Sequence, residues 1–125
     1  MVYKFYDTES LITTGAAAFS NPNEQVIICN CVLHELTKRD CKEILHLLDT
    51  NRNWENCDTD YTIPDNNTKV FAAAVKFDRV TRPDEVVFVT SDFYLYNFAN
   101  RFFGKDSIVY LEANQDETAV ITMEK

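Results

Sequence analysis

The chain alternates short apolar runs with longer amphipathic stretches. Residues 2–6 (VYKFY) are β-branched and aromatic and predict a first strand. Residues 8–19 place Leu11, Ile12, Gly15, Ala16 and Phe19 on one helical face and predict a single helix. After a turn at NPNE (21–24), residues 25–29 (QVIIC) form a continuous apolar run, as expected of a strand buried on both faces. NCVLHELTK then reads as a helix with Asn30 as N-cap. DCKEILHLLDT reads as another, capped by Asp40, with Ile44, Leu47 and Leu48 facing in. Residues 51–60 are polar, and within them 54–57 predict a weak, edge-like strand. IPDNNTKVFAAAVKFDRV predicts a helix that starts between Asp65 and Thr68 and buries Val70, Phe71, Ala74, Val75 and Phe77. DEVVFVTSD is a second buried strand. FYLYNFANRFFG is a helix ended by Gly104 at the C′ position, and SIVYLE is the last clear strand. The tail from 114 to 125 holds TAVITME, a further strand or a docking segment.

This order of strands and helices implies an α/β domain with a mostly parallel sheet covered on both faces. The 125 residues suit one domain, 1–125, and the 46% hydrophobic and 13% aromatic content supplies a normal core. No apolar stretch approaches the roughly 20 residues of a membrane span. No basic-then-apolar leader opens the chain, so a cytoplasmic protein with no membrane partner is expected.

Composition removes several classes of chemistry. Only Gly15 and Gly104 are present, so neither a dinucleotide fingerprint nor a P-loop can be written. The four cysteines, Cys29, Cys31, Cys41 and Cys57, form no C-x-x-C pair and read as reduced thiols rather than a zinc site. HELTK (34–38) begins like a zinc-protease motif, but Lys38 stands at the second ligand position. His34 and His46 read as helix-surface or half-buried residues. A net charge of −8 argues against plain electrostatic binding of nucleic acid. It leaves room for a nuclease whose acids hold divalent cations, because the metal inverts the local field. Phosphate contacts would then fall to small basic groups: Lys38, Arg39 and Lys42; Arg79 and Arg82; Arg101 and Lys105.

Candidate chemistry gathers at the carboxyl ends of the predicted strands, where doubly wound sheets bind ligands. Asp7 follows the first strand and Asp92 follows VVFVTS. Glu35 lies about a turn into the helix after the second strand, and Asp65, Asn66 and Asn67 open the helix after the weak third strand. Each has an ordinary explanation when taken alone. Asp7 and Asp92 suit helix caps, Glu35 an exposed helix position, and Asp65 a turn after Pro64. Together on one edge they repel one another unless a cation offsets them. Mg²⁺ or Mn²⁺ fits such oxygen ligands, and two ions about 4 Å apart can activate water and stabilise a leaving oxygen.

Three of these segments carry a resemblance. YDTESL resembles the opening strand and D-T-N-x-L motif of the PIN-domain family of metal-dependent nucleases, with Glu9 in place of the usual asparagine. VIICNCVLHELTK is similar to that family's second strand and following helix, which carries an acid just before a leucine. VVFVTSDFYLYNFA is similar to its strand ending in T-[NS]-D. The similarity runs from Val2 to about Leu111. It implies a three-layer α/β/α sandwich and endoribonuclease chemistry on RNA at a Mg²⁺ or Mn²⁺ site. Asp7, Glu35 and Asp92 carry over as catalytic metal ligands, with Thr8 and Ser91 as hydroxyl support. At the family's third acidic position this chain has Asn67 and Thr68, with Asp65 the nearest acid. Either Asp65 reaches the site as a ligand, or an amide has replaced the acid.

Two other readings stand beside the nuclease. A receiver domain lacks here the acid pair after the first strand, and Lys105 precedes its strand instead of following it. An inactive PIN-like interaction module is suggested by the helix carrying Phe93, Tyr94, Tyr96, Phe98, Phe102 and Phe103. That is more aromatic surface than one buried stripe requires, and it suits a protein partner or a homodimer face.

Overall fold

The structure, a computed structural model, describes residues 1–103, 108–113 and 116–123. Gly104 and Lys105 lie outside the described residues, as do the side chains of Phe102 and Phe103. A six-stranded sheet runs in the order β3-β2-β1-β4-β6-β5. Its strands are β1 (Val2–Tyr6), β2 (Glu24–Cys29), β3 (Trp54–Cys57), β4 (Glu85–Thr90), β5 (Ile108–Ala113) and β6 (Asp116–Met123). The helices are α1 (Thr8–Thr14), α2 (Asn30–Lys38), α3 (Lys42–Thr50), α4 (Asn66–Thr81) and α5 (Phe93–Phe103). The architecture is α/β, as the alternation predicts, and compatible with a three-layer α/β/α sandwich.

Strands β3, β2, β1 and β4 are mutually parallel. The right-handed crossover rule places the connections from β1 to β3 on one face and α4, which returns to β4, on the other. Side-chain alternation agrees. Tyr3 and Phe5 of β1 meet Phe77 of α4, with ring centroids 5.0 and 5.5 Å apart. Phe88, the register partner of Phe5, meets Phe71 of the same helix. Val26 to Cys29 and Val86 to Val89 are all buried, which accounts for their unbroken apolar runs.

The tail is a strand. β6 enters antiparallel between β4 and β5, pairing Val86 with Met123 and Thr90 with Ala119. β3 lies at the opposite edge, as its polar sequence suggests.

Three local expectations are corrected. The predicted helix over 8–19 breaks at Gly15, whose φ of +59° caps α1 and starts a 3-10 turn over Gly15–Phe19. Only glycine enters that region without steric cost. Asn30 is not the N-cap of α2. Cys29 holds that position without a side-chain capping bond, and the Asn30 amide donates to Asp58. Asp40 does not cap α3 either. It sits one residue before the Cys41 cap, in left-handed backbone with φ 54°.

The sheet order sets up the site. The chain runs outward from β1 through β2 to β3, then crosses back over α4 to β4 on the other flank of β1. The reversal makes the gap beyond the carboxyl ends of β1 and β4 the topological switch point, where open α/β sheets leave a crevice.

Candidate metal centre

Asp7 is built from the backbone outward. Its N–H donates to the Val89 carbonyl at 3.2 Å, so β1–β4 pairing continues one residue past the strand. Its carboxylate then turns inward and is 1% exposed. Oδ1 accepts from the Ser10 N–H at 2.9 Å and caps α1. Oδ2 accepts from the Thr90 hydroxyl at 2.6 Å and the Ser91 N–H at 3.2 Å. Burial nevertheless wins over these bonds and holds the carboxyl pKa above its ordinary value.

Asp92 occupies the equivalent place after β4. Oδ1 accepts from the Leu95 N–H at 3.1 Å, capping α5, and Oδ2 accepts from the Asn67 amide at 3.1 Å. The Asp92 N–H donates to Thr90 Oγ1 at 3.0 Å. Thr90 therefore bridges the two acids, giving its proton to Asp7 and accepting from the backbone of Asp92. The Ser10 and Ser91 hydroxyls meet at 3.0 Å and tie the two flanks of the switch point a second time.

Glu35 comes from α2 and keeps a side-chain exposure of 29%. Its Oε2 accepts from the Thr8 hydroxyl at 3.2 Å and the Asn66 amide at 3.1 Å. The consecutive amides of Asn66 and Asn67 thus reach Glu35 and Asp92 respectively, so the two carboxylates flank the first turn of α4. Asp65 is spent differently. It is exposed, and its Oδ2 accepts from the Thr68 N–H at 2.9 Å and the Thr68 hydroxyl at 2.7 Å, capping α4. The structure brings Asn66 and Asn67, and not Asp65, into hydrogen-bond contact with the other acids. Asp65→Asn is accordingly expected to keep the cap and leave divalent-cation affinity unchanged. Asn67→Asp, which adds a carboxylate beside Asp92, should tighten that affinity. Calorimetric titration of Mn²⁺ into both variants checks the pair.

Of the basic residues assigned to RNA, Lys38, Arg39, Lys42 and Arg101 are exposed. Arg39 is already engaged: its Nη1 donates to Glu9 and lies 3.4 Å from Glu35 Oε1. Glu9, which stands where the resembled family has asparagine, thus draws a guanidinium over the acidic edge. Lys42 pairs with Asp40 at 3.7 Å. Arg39→Ala should leave the melting temperature nearly unchanged, since exposed pairs contribute little. It should tighten Mn²⁺ binding severalfold by removing a competing cation from Glu35, as read by titration at low salt.

The oxygen ligands that suit a hard cation are the carboxylates of Glu35 and Asp92 and nearby hydroxyls, while Asn66 and Asn67 turn their amide N–H groups toward the acids; no sulfur or imidazole is among these contacts. Among the described residues, no three His, Cys, Asp or Glu side chains stand close enough to hold an ion by themselves. A magnesium site of the open kind asks for only one or two carboxylates, with water and substrate phosphate completing the shell. Glu35 and Asp92 are only partly buried and present carboxylate oxygens beside the first turn of α4, whereas Asp7 is buried beneath Thr90 and Ser91. A larger apolar groove of about 530 Å³, lined by Ile12, Ile44 and Leu47, contains none of these acids. Among the described residues no helix is long and apolar enough to cross a membrane.

Sequence reasoning missed Thr90, Ser10 and the Arg39–Glu9 pair. Thr90 had a signal, as a polar residue closing an otherwise apolar strand beside two candidate acids. No protein-family model, curated protein or solved structure matches the chain.

Proposed function

We propose that the chain is a PIN-type endoribonuclease that hydrolyses RNA phosphodiester bonds with Mg²⁺ or Mn²⁺. One observation carries this reading. Acids from β1, α2 and β4 reach the switch point of a parallel 3-2-1-4 sheet, and Thr8, Thr90, Asn66 and Asn67 hold them there. Glu35 and Asp92 would hold the cation. Asp7 fixes Thr90 and Ser91, and through them the position of Asp92. A cation held there would supply charge neutralisation at the phosphate and a more acidic bound water. The Asn66 and Asn67 amides keep the carboxylates oriented and add N–H donors beside the place a phosphate would take.

A second reading, an inactive PIN-like interaction module, is favoured by how fully the acids are satisfied within the protein. Arg39 and Asn66 sit on Glu35, and three donors sit on Asp7. An assay of metal-dependent cleavage separates the two. Structured and unstructured RNAs are incubated with the protein in EDTA, Mg²⁺ and Mn²⁺. The nuclease reading expects internal cuts only with metal, and an intact RNA at millimolar Mn²⁺ supports the module.

A further inference from the structure

Beside Asp92 lies a second concavity, of about 400 Å³, lined by Asp65, Thr68, Asp92, Tyr94, Leu95 and Phe98. It shares Asp92 with the metal centre and so opens next to it. Its walls differ in kind from that centre. Tyr94 is 91% exposed and Phe98 is 55% exposed, an unusual display of aromatic surface for two residues one helical turn apart. Phe98 is braced from behind by an edge-on contact with Phe71, at 6.0 Å between ring centroids. Phe71 in turn packs on Phe88 of the core. Leu95, 6% exposed, is anchored in the core beside them. The cap of α5, in which the Leu95 N–H donates to Asp92 Oδ1, fixes the backbone of the first turn and so sets where Tyr94 leaves the helix.

We infer that this concavity is a nucleobase subsite, in which an unpaired base of a single-stranded RNA stacks on Tyr94 next to the acid that flanks the metal centre. The inference rests on the proposed nuclease reading and supplies its substrate class. Three observations favour a base over other occupants. Among the described residues the lining has carboxylate and hydroxyl oxygens and no cationic residue, which suits a neutral base carrying amino donors and repels a phosphate. The aromatic surface is exposed on a capped helix, with Phe98 braced by Phe71, and stacking platforms for splayed bases present such surface. The chain carries a net charge of −8, so counterion release can supply little affinity and base contacts must supply more of it. A second copy of the chain fits less well, because it would bring two rims bearing Asp65 and Asp92 together. A duplex hides the faces of its bases and cannot use the site.

The test uses the full chain and two fluorescent hexanucleotides in EDTA, where no cleavage occurs: hexa-adenylate and an abasic strand with the same phosphates. The wild type is expected to bind hexa-adenylate at least about tenfold tighter than the abasic strand, and to keep that preference at high salt. Tyr94→Ala should lose the preference, and Tyr94→Phe and Tyr94→Trp should keep it. Equal binding of both strands by the wild type, no binding of either, or an unchanged preference in Tyr94→Ala would each overturn the subsite. So would a Tyr94→Ala effect confined to sedimentation, which would mark a dimer face. Cleavage of the same strands in Mn²⁺ separates the two claims. Metal-dependent cutting with no role for Tyr94 removes the subsite alone. Base preference without any cutting keeps the subsite and removes the nuclease.

Discussion

Asp92→Asn is expected to lower metal-dependent RNA cleavage by about a hundredfold or more while leaving the fold intact. The substitution separates charge from structure. Asn is as good a cap as Asp, so the Leu95 N–H keeps its acceptor and α5 keeps its first turn. The backbone N–H that binds Thr90 is unaffected. What disappears is one of the two carboxylates flanking the first turn of α4, and with it the charge that a divalent cation requires. The amide of Asn67 then faces a neutral partner. Steady-state cleavage and a thermal melt, taken together, check the prediction. A melting temperature within about 2 °C of wild type with cleavage lost supports it. Unchanged cleavage would remove Asp92 from the site.

Asp7→Asn is expected to raise the stability of the metal-free protein at pH 7 by about 1 kcal/mol, or roughly 4 °C in melting temperature. The physical cause is burial. The carboxyl is 1% exposed, and desolvation outweighs the Ser10, Thr90 and Ser91 bonds, so its pKa in the folded state lies above the ordinary value. The folded state therefore binds the proton more tightly than the unfolded chain does. The stability this contributes is complete below the ordinary carboxylate pKa and is lost as pH rises through the raised one. At neutral pH the wild type carries a buried charge that costs stability; Asn removes the charge while its single oxygen serves only one of the Ser10 and Ser91 N–H groups, and the expected gain is the net of the two effects. The gain should shrink on acidification and vanish once wild-type Asp7 is protonated. Cleavage should be abolished, and stabilisation by added Mn²⁺ should be blunted. If Asp7 served only to cap α1, the pH-dependent gain would remain, but added Mn²⁺ would stabilise neither protein and no cleavage would depend on Asp7. Thermal melts of both proteins across the acidic range, with and without Mn²⁺, distinguish the two accounts.

The parallel half of the fold was legible because burial writes itself into unbroken apolar runs such as 25–29 and the stretch leading to Asp92. The antiparallel half was not. β6 pairs between β4 and β5, and nothing in TAVITME says which neighbours it will take, because non-local pairing is decided by the vacancy left in the sheet. Helix ends failed where backbone conformation overrode side-chain preference. Gly15 broke a well-patterned helix by adopting positive φ, and Asp40 took left-handed backbone one residue ahead of the cap it was expected to form.

Within the site, Asp7 and Asp92 could be read from sequence because position after a strand is a local property. The third position could not. Whether Asp65, Asn66 or Asn67 faces Glu35 depends on the residue at which α4 begins, and a shift of one residue turns the side chain by about 100°. With Asp65 as cap, the two amides that follow point at the acids. Thr90 and the Arg39–Glu9 pair depend on strand register and side-chain reach across elements, which periodicity does not encode.

We propose that Glu35 and Asp92 hold a divalent cation at the β1–β4 switch point. The most direct test is anomalous diffraction from crystals of the protein grown in millimolar Mn²⁺. An anomalous peak is expected in contact with carboxylate oxygens of Glu35 and Asp92, with Arg39 displaced from Glu35. An edge with no such peak, and with Arg39 and Asn66 still seated on Glu35, would contradict it.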